Sequence, residues 1–408
     1  MSATPGSSAG SAASAGSGPP AAVTAGWLTA ALRRAGVLTR GEVEDVAAQA
    51  DPAFNSRVQH LRLRYSPDAP AVAPRRLLLK RSLEADWARA AGAREVAFYR
   101  AVADRADPPA VTVPCYAAGH DAAEESWYVL LRDLSATHRP ALTRDQQLVP
   151  GANVPPAVDL ERVVDTLARQ HAGWWEHPRL RPGADAAATP WSHFVDGAAY
   201  ERFAARAAAT WPALVRDHPE RLPAAVRTAV DGAVEGLPRL WARRLAGRIP
   251  ARRGVTLAHG DAYFANFLCP RPAAGADAGA EGEAPWDGRD GTYLIDWQSP
   301  GVHLGTDDVA TLCATFWTPA QRAAGGRERN ILRRYLDGLA AGGVRGYTWD
   351  DLLDDYRCSV TLWLTVPLQD GADGAPVDYW APKLACLAAA YTDLDCAGLL
   401  RAGGAAPG

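Results

Sequence analysis

Apolar and polar positions alternate most clearly in the first third of the chain. Over 58–65 (VQHLRLRY), Leu61, Leu63 and Tyr65 alternate with Arg62 and Arg64, the period of a strand with one buried face. Residues 76–82 (RLLLKRS) are apolar without alternation and predict a more deeply buried strand, interrupted by Lys80. From Glu84 to Ala103 the period becomes helical, with Val96, Tyr99 and Val102 on one face. Val111 to Tyr116 and Trp127 to Leu134 (WYVLLRDL) return to strand patterns. Residues 58–134 therefore predict β, β, α, β, β, a small sheet with one helix, and a short helix is expected ahead of it at 27–35.

After Leu134 helical spacing takes over, in segments 159–176, 198–216, 223–246, 305–317, 328–340, 349–365 and 381–400. Two strand-like segments, 263–268 and 292–297, form the exception and predict a β-hairpin. Between them, 270–291 is rich in Ala, Gly, Asp and Glu and reads as a surface insertion. The expected class is α+β. A tail at 1–25 precedes a sheet domain at 26–134 and a mainly helical domain at 135–400, and a second tail follows at 401–408. Residues 1–22 are nearly all Ala, Gly, Ser, Pro and Thr, too poor in apolar surface to offset their ordering entropy, so disorder is expected there.

Composition narrows the function. A formal net charge of -3 argues against nucleic acid as a partner, which needs a basic excess. No run of 18 apolar residues occurs, so no membrane-spanning helix is expected. The six cysteines form no CxxC pair and the first residues lack a basic start and apolar stretch, which fits a reduced, cytoplasmic protein. Of 43 Lys and Arg residues only Lys80 and Lys383 are lysine. A lysine in an apolar strand is costly unless its charge is paired, so Lys80 needs an acidic or anionic partner.

Residues 255–268 (VTLAHGDAYFANFL) and 292–298 (TYLIDWQ) each deliver polar groups at the end of an apolar segment: His259, Asp261 and Asn266 from the first, Asp296 from the second. Two carboxylates and a carboxamide at one place suit Mg²⁺, which prefers oxygen ligands. Taken singly, Asp261 and Asn266 are turn formers, and Asp296 ends a strand. His259 and Asp261, two residues apart, also fit a metal-dependent hydrolase, although no zinc spacing such as HExxH is present.

HGDxxxxN followed by a hydrophobic strand ending in IDW resembles the aminoglycoside phosphotransferase and choline kinase superfamily, which has the protein-kinase-like fold. The wording is most similar to the ecdysteroid-kinase-like (CHK kinase-like) branch, through 131–135 (LRDLS), 167–172 (LARQHA), Gln298 after IDW, and 305–310 (GTDDVA). The resemblance spans about 50–400. It implies a two-lobe fold and an ATP-dependent phosphotransferase acting on an alcohol, with ATP and Mg²⁺ as cofactors. Asp261 would be the catalytic base, and Asn266 and Asp296 would hold the metal. Lys80 would meet the nucleotide phosphates, paired with Glu95 of the helix motif E-x-x-F-Y; Glu84 is the competing partner. Residues 130–134 would form the hinge, with Leu131 and Asp133 at the adenine edge, although Arg132-Asp133 departs from the usual Glu-Asp. His259 would support the loop by hydrogen bonding, and Asp308 would cap or brace the helix that starts at 305.

The match is weakest at the phosphate-covering loop, since 51–57 (DPAFNSR) has no glycine. HGD in place of HRD, and the absence of an APE segment, point to a small-molecule acceptor rather than a protein. Its pocket would lie among the helices, where some of the tryptophans would line it and most would be core. Acidic positions such as Asp370, Asp373 and Asp378 read as a solvated face, with attraction of a cationic aminoglycoside as the competing reading. Two alternatives remain: a catalytically silent kinase-like binding protein, and the metal-dependent hydrolase.

Overall fold

The computed structural model describes residues 23–52, 57–82, 86–105, 107–121, 126–149, 152–181, 196–272, 288 and 290–401. The expected disorder at 1–22, the centre of the glycine-free stretch 51–57, Glu84, Trp191, most of the expected insertion and residues 402–408 lie outside the described residues. The chain divides into two compact units: Met1–Val96 with Cys115–Arg132, and Ala97–Pro114 with Asp133–Gly408.

In the first unit, five antiparallel strands pair in the order β1-β2-β3-β5-β4. They are β1 (Val43–Pro52), β2 (Arg57–Tyr65), β3 (Arg76–Arg81), β4 (Cys115–Asp121) and β5 (Ser126–Arg132). The alternation in β2 has its expected result: Leu61 and Leu63 are buried, Arg62 and Arg64 exposed. They pack with Leu77 and Leu79 of β3 against Leu28 and Leu32 of the helix Ala25–Arg34. Each such leucine contributes about 2 kcal/mol by leaving water. Strand β1 was not expected. Its sequence VEDVAAQADP is poor in strand formers and mostly exposed, and only pairing along the edge of β2 makes it a strand.

Strand β4 also lies later than the Val111–Tyr116 pattern suggested. Val111 and Val113 are buried, but only Thr112 makes an isolated bridge, to Leu294, and Pro114 has no N–H to offer a ladder. The helix Asp86–Ala103 runs from the first unit into the second, which begins at Ala97. Its Gly92 lies against Trp127 of β5; a Cβ there would sit 1.8 Å from the indole.

The second unit is mainly helical, as expected, with two small sheets. β6 (His138–Pro140), β8 (Phe267–Pro270) and β9 (Tyr293–Leu294) form one, and β7 (Thr256–Ala258) pairs with β10 (Gly301–His303) in the other. The β8–β9 hairpin matches the strand pair read from the sequence, but both strands are shorter than their patterns. Asn266 N–H bonds to Tyr263 C=O at 2.8 Å and closes a 3₁₀ turn at Phe264–Asn266 where strand was expected. At the other end Asp296, with φ 67°, breaks the extended path. No helix among the described residues is long and apolar enough to cross a membrane.

Candidate active site

In the first unit Lys80 lies in β3, opposite Val58 on one side and Val129 on the other. The apolar ladder buries it, leaving 8% exposed. Its Nζ meets Glu95 Oε2 at 2.7 Å, and Glu95 is 1% exposed. Desolvation makes a buried ion pair stabilising only with good geometry, and leaves either partner costly if the other is lost. The contact of Gly92 with Trp127 brings the helix close enough for this pair to form. Leu131 is buried in β5 and paired on both sides, with Leu78 and Cys115, so its backbone is engaged in the sheet. Asp133 starts the second unit's main segment and accepts the N–H of Ser135 at 2.8 Å.

In the second unit the loop after β7 presents Asp261 and Asn266. Between them Ala262 and Phe264 are buried, and Phe267 follows them into the core, while Asp261 and Asn266 stay half-buried. Asn266 Nδ2 donates to the Asp261 carbonyl at 2.8 Å and to its Oδ2 at 3.2 Å. The amide nitrogen of Asn266 is thus spent on Asp261, so a further ligand would meet its side-chain carbonyl oxygen.

Burial and the neighbouring Asp296 carboxylate push the Asp261 carboxyl up to about 7, against the pull of Asn266, Arg144 and Lys383. Asp296 follows β9 in the left-handed region, a conformation that a branched residue would resist and that clusters at functional sites. Its carbonyl accepts from Gln298 N–H at 2.9 Å. Next to it the fully buried Trp297 stacks on Phe98, with centroids 3.7 Å apart and planes 10° apart.

His259 is fully buried and both ring nitrogens are engaged. Nε2 donates to the Ile295 carbonyl at 2.9 Å, and Nδ1 accepts Asp261 N–H at 3.2 Å. Burial lowers its pKa, so the neutral ring ties the Asp261 loop to the Asp296 segment. This is the supporting role that the sequence pattern implied, and it leaves no nitrogen for a metal.

Asp308 does not cap its own helix, Thr306–Ala314, whose first residue has no side-chain cap. It reaches the loop instead: Oδ2 accepts His259 N–H at 2.6 Å and Oδ1 accepts Gly260 N–H at 2.9 Å. His171 Nε2 lies 3.0 Å from Oδ2, and His171 Nδ1 lies 2.8 Å from Tyr335 OH. Burial alone would raise the Asp308 carboxyl, but the His171 hydrogen bond and charge outweigh it and hold it low. Sequence reasoning placed Asp308 as a cap or brace without seeing what it holds, because its partners lie 48 and 137 residues away.

Asp261 also forms part of the wall of a cavity of about 600 Å³ within the second unit. Phe203, Tyr263, Trp363 and Tyr379 supply aromatic walls, and Asp370 and Lys383 a charged pair. Trp363 is the only tryptophan lining this cavity among the described residues; Trp174, Trp317 and Trp380 are core. The structure thus brings Asp261, Asn266 and Asp296 together beside a pocket, and separately pairs Lys80 with Glu95.

No family model matches the sequence, and no curated protein matches it. Solved structures do match. A candidate aminoglycoside phosphotransferase from Ralstonia eutropha JMP134 is 14% identical over 91% of this chain and 97% of that one, with a TM-score of 0.50. A choline/ethanolamine kinase family protein from Mesorhizobium loti is 14% identical, covering 88% and 93%, with a TM-score of 0.46. Amicoumacin kinase hAmiN, solved with AMP-PNP, Ca²⁺ and Ami, is 12% identical, covering 89% and 92%, with a TM-score of 0.45. The likeness is one of fold. It does not bear on the ecdysteroid-kinase-like branch.

Proposed function

We propose that this chain is a small-molecule kinase that transfers the γ-phosphoryl group of ATP to an acceptor hydroxyl. The observation that carries the reading is the loop Gly260–Asn266. It is held by Asp308, faced by the Asp296 carboxylate, and opens through Asp261 on an aromatic-walled pocket. The fold likeness to the Ralstonia eutropha protein supports it.

The donor set fits Mg²⁺. It consists of hard oxygens only, two mutually repelling carboxylates and the side-chain oxygen of an amide whose nitrogen is bonded to Asp261. Asn266 and Asp296 would hold the ion, which supplies charge neutralisation of the nucleotide phosphates. Asp261 takes the proton of the acceptor hydroxyl as that oxygen forms its bond to the γ-phosphorus; the bond from phosphorus to the β–γ bridging oxygen breaks and ADP leaves. Burial raises the Asp261 carboxyl above its ordinary value, which suits it to holding that proton transiently. Lys80, oriented by Glu95, is assigned to the nucleotide phosphates, as a compact cation that arginine would not replace. Leu131 and Asp133 are assigned to the adenine edge. Because strand pairing occupies Leu131, Asp133 carries the greater part of that assignment.

The hydrolase alternative has lost its metal-binding histidine to backbone hydrogen bonds. Thermal unfolding with Mg²⁺-ATP, Mg²⁺-GTP and Mg²⁺ alone, on wild type and Asp296→Asn, tests the proposal. Asparagine tolerates the left-handed backbone, so this variant removes charge without strain. Ligand at a hundred times Kd stabilises by about 2.7 kcal/mol. A nucleotide shift that needs Mg²⁺ and shrinks in the variant is expected. No shift at millimolar nucleotide would sink the kinase reading. A shift without phosphoryl transfer to any alcohol would leave a silent binding protein.

A further inference from the structure

The loop that presents Asp261 carries a tyrosine two residues later, and the kinase reading gives it no role. Tyr263 lines the same cavity as Asp261 and is half-buried. Its backbone is pinned on both sides: its N–H donates to the Asp261 carbonyl at 2.8 Å, and its carbonyl accepts Asn266 N–H at 2.8 Å. Its ring stands edge-on to Phe316, with centroids 5.4 Å apart and planes 64° apart. Lys383 Nζ in turn lies 5.8 Å from the centre of the Phe316 ring. Backbone and ring together fix where the phenol can point, which is what a group that orients a substrate requires.

The Tyr263 hydroxyl makes no hydrogen bond among the described residues. Other polar groups of the lining are bonded within the protein: Asp370 meets Lys383 at 2.9 Å, Arg206 meets Asp373 at 2.8 Å, and Asp307 accepts from Ser359. Burial and the Asp261 charge push the phenol well above its ordinary value. It therefore stays protonated, able to donate and unable to compete for the proton that Asp261 takes. An acceptor hydroxyl has one hydrogen and two lone pairs. The hydrogen goes to Asp261 and one lone pair to the γ-phosphorus, which leaves one lone pair for a donor. Tyr263 is the side-chain donor that the loop itself offers.

We propose, resting on the kinase reading, that Tyr263 is an acceptor-positioning residue: its O–H donates to the reacting oxygen and turns that oxygen's own hydrogen toward Asp261. The role is independent of the body and charge of the acceptor, and it holds for water as for an alcohol.

The test uses Tyr263→Phe, which keeps the ring against Phe316 and removes only the hydroxyl. Turnover of saturating Mg²⁺-ATP is measured with water and with glycerol as acceptors, beside the Mg²⁺-ATP melting shift. The variant is expected to melt at or above the wild-type temperature, because no protein partner is lost. KM for ATP and the melting shift should be kept, while kcat falls about five- to tenfold with either acceptor, the worth of one hydrogen bond. Unchanged kcat would leave the hydroxyl idle, a raised KM for ATP would assign it to the nucleotide, and a melting temperature well below wild type would give it a protein partner; each overturns the inference. Absence of turnover in wild type, with or without a melting shift, would instead overturn the kinase reading beneath it, so the two failures are distinguishable.

Discussion

The carboxylate of Asp308 accepts the backbone N–H of Gly260 at 2.9 Å, 48 residues back along the chain. The other oxygen takes the N–H of His259. One buried side chain therefore fixes the peptide planes just before the candidate base Asp261. Asp308→Asn replaces an acceptor by a donor facing an N–H, and leaves a buried group unsatisfied at roughly 1–3 kcal/mol. We expect a lower melting temperature and a fall in kcat of at least about tenfold, with the Mg²⁺-ATP melting shift retained. Unchanged kcat in a folded Asp308→Asn protein would show that the loop does not need this anchor.

Gly260 has φ 75°, and a Cβ there would lie 2.1 Å from the carbonyl oxygen of Ser299, a backbone atom that cannot swing away. The left-handed conformation adds about 1–2 kcal/mol for any residue with a Cβ. Gly260→Ala should lower the melting temperature and abolish transfer. Gly247→Ala, in open space, should do neither. Equal melting temperatures for the two variants would contradict the close approach.

Lys80 and Glu95 form a buried pair with little access to water. Removing one partner strands the other, at about 3–5 kcal/mol. Lys80→Met is expected to lose both stability and nucleotide binding. Lys80→Met/Glu95→Leu should recover most of the stability and none of the nucleotide shift. Recovery of both would remove Lys80 from the phosphate site.

Asp261 titrates near 7 in the folded, metal-free chain, against an ordinary value of 3.8, because burial and Asp296 disfavour its charge. A carboxyl raised by folding adds stability that is full below its unfolded pKa and is lost as pH rises through the folded one. The ionised side chain therefore destabilises the protein increasingly from about pH 4 to about pH 7. Asp261→Asn should melt higher than wild type by a margin that grows across this window and levels off above it. A margin independent of pH would show that the carboxyl is not held up. Transfer needs the ionised form, so kcat/KM should rise with pH through the same group, and Asp261→Asn should show no transfer at any pH.

Local order accounts for what was legible in advance. Leu61, Leu63 and Leu79 announced their strands because strand period depends on neighbours along the chain. The HGDxxxxN spacing is set by a single loop, so Asp261 and Asn266 could be paired by inspection, and their hydrogen bond is present. Lys80 in an apolar strand demanded a partner, and Glu95 is that partner. By itself the sequence therefore determined the α+β class, the position of the loop and the identity of its polar groups.

Tertiary structure decided the rest, for one physical reason: groups far apart in sequence share no local pattern. Strand β1 exists only because β2 lends it an edge. The left-handed turn at Asp296 ends a strand that its own residues favour. Asp308 binds a loop rather than its own helix, through partners that no spacing rule connects. The acidic positions 370, 373 and 378 looked like a solvated face. Asp373 and Asp378 are indeed exposed, but Asp370 lines the cavity and meets Lys383 at 2.9 Å, which no local pattern announced.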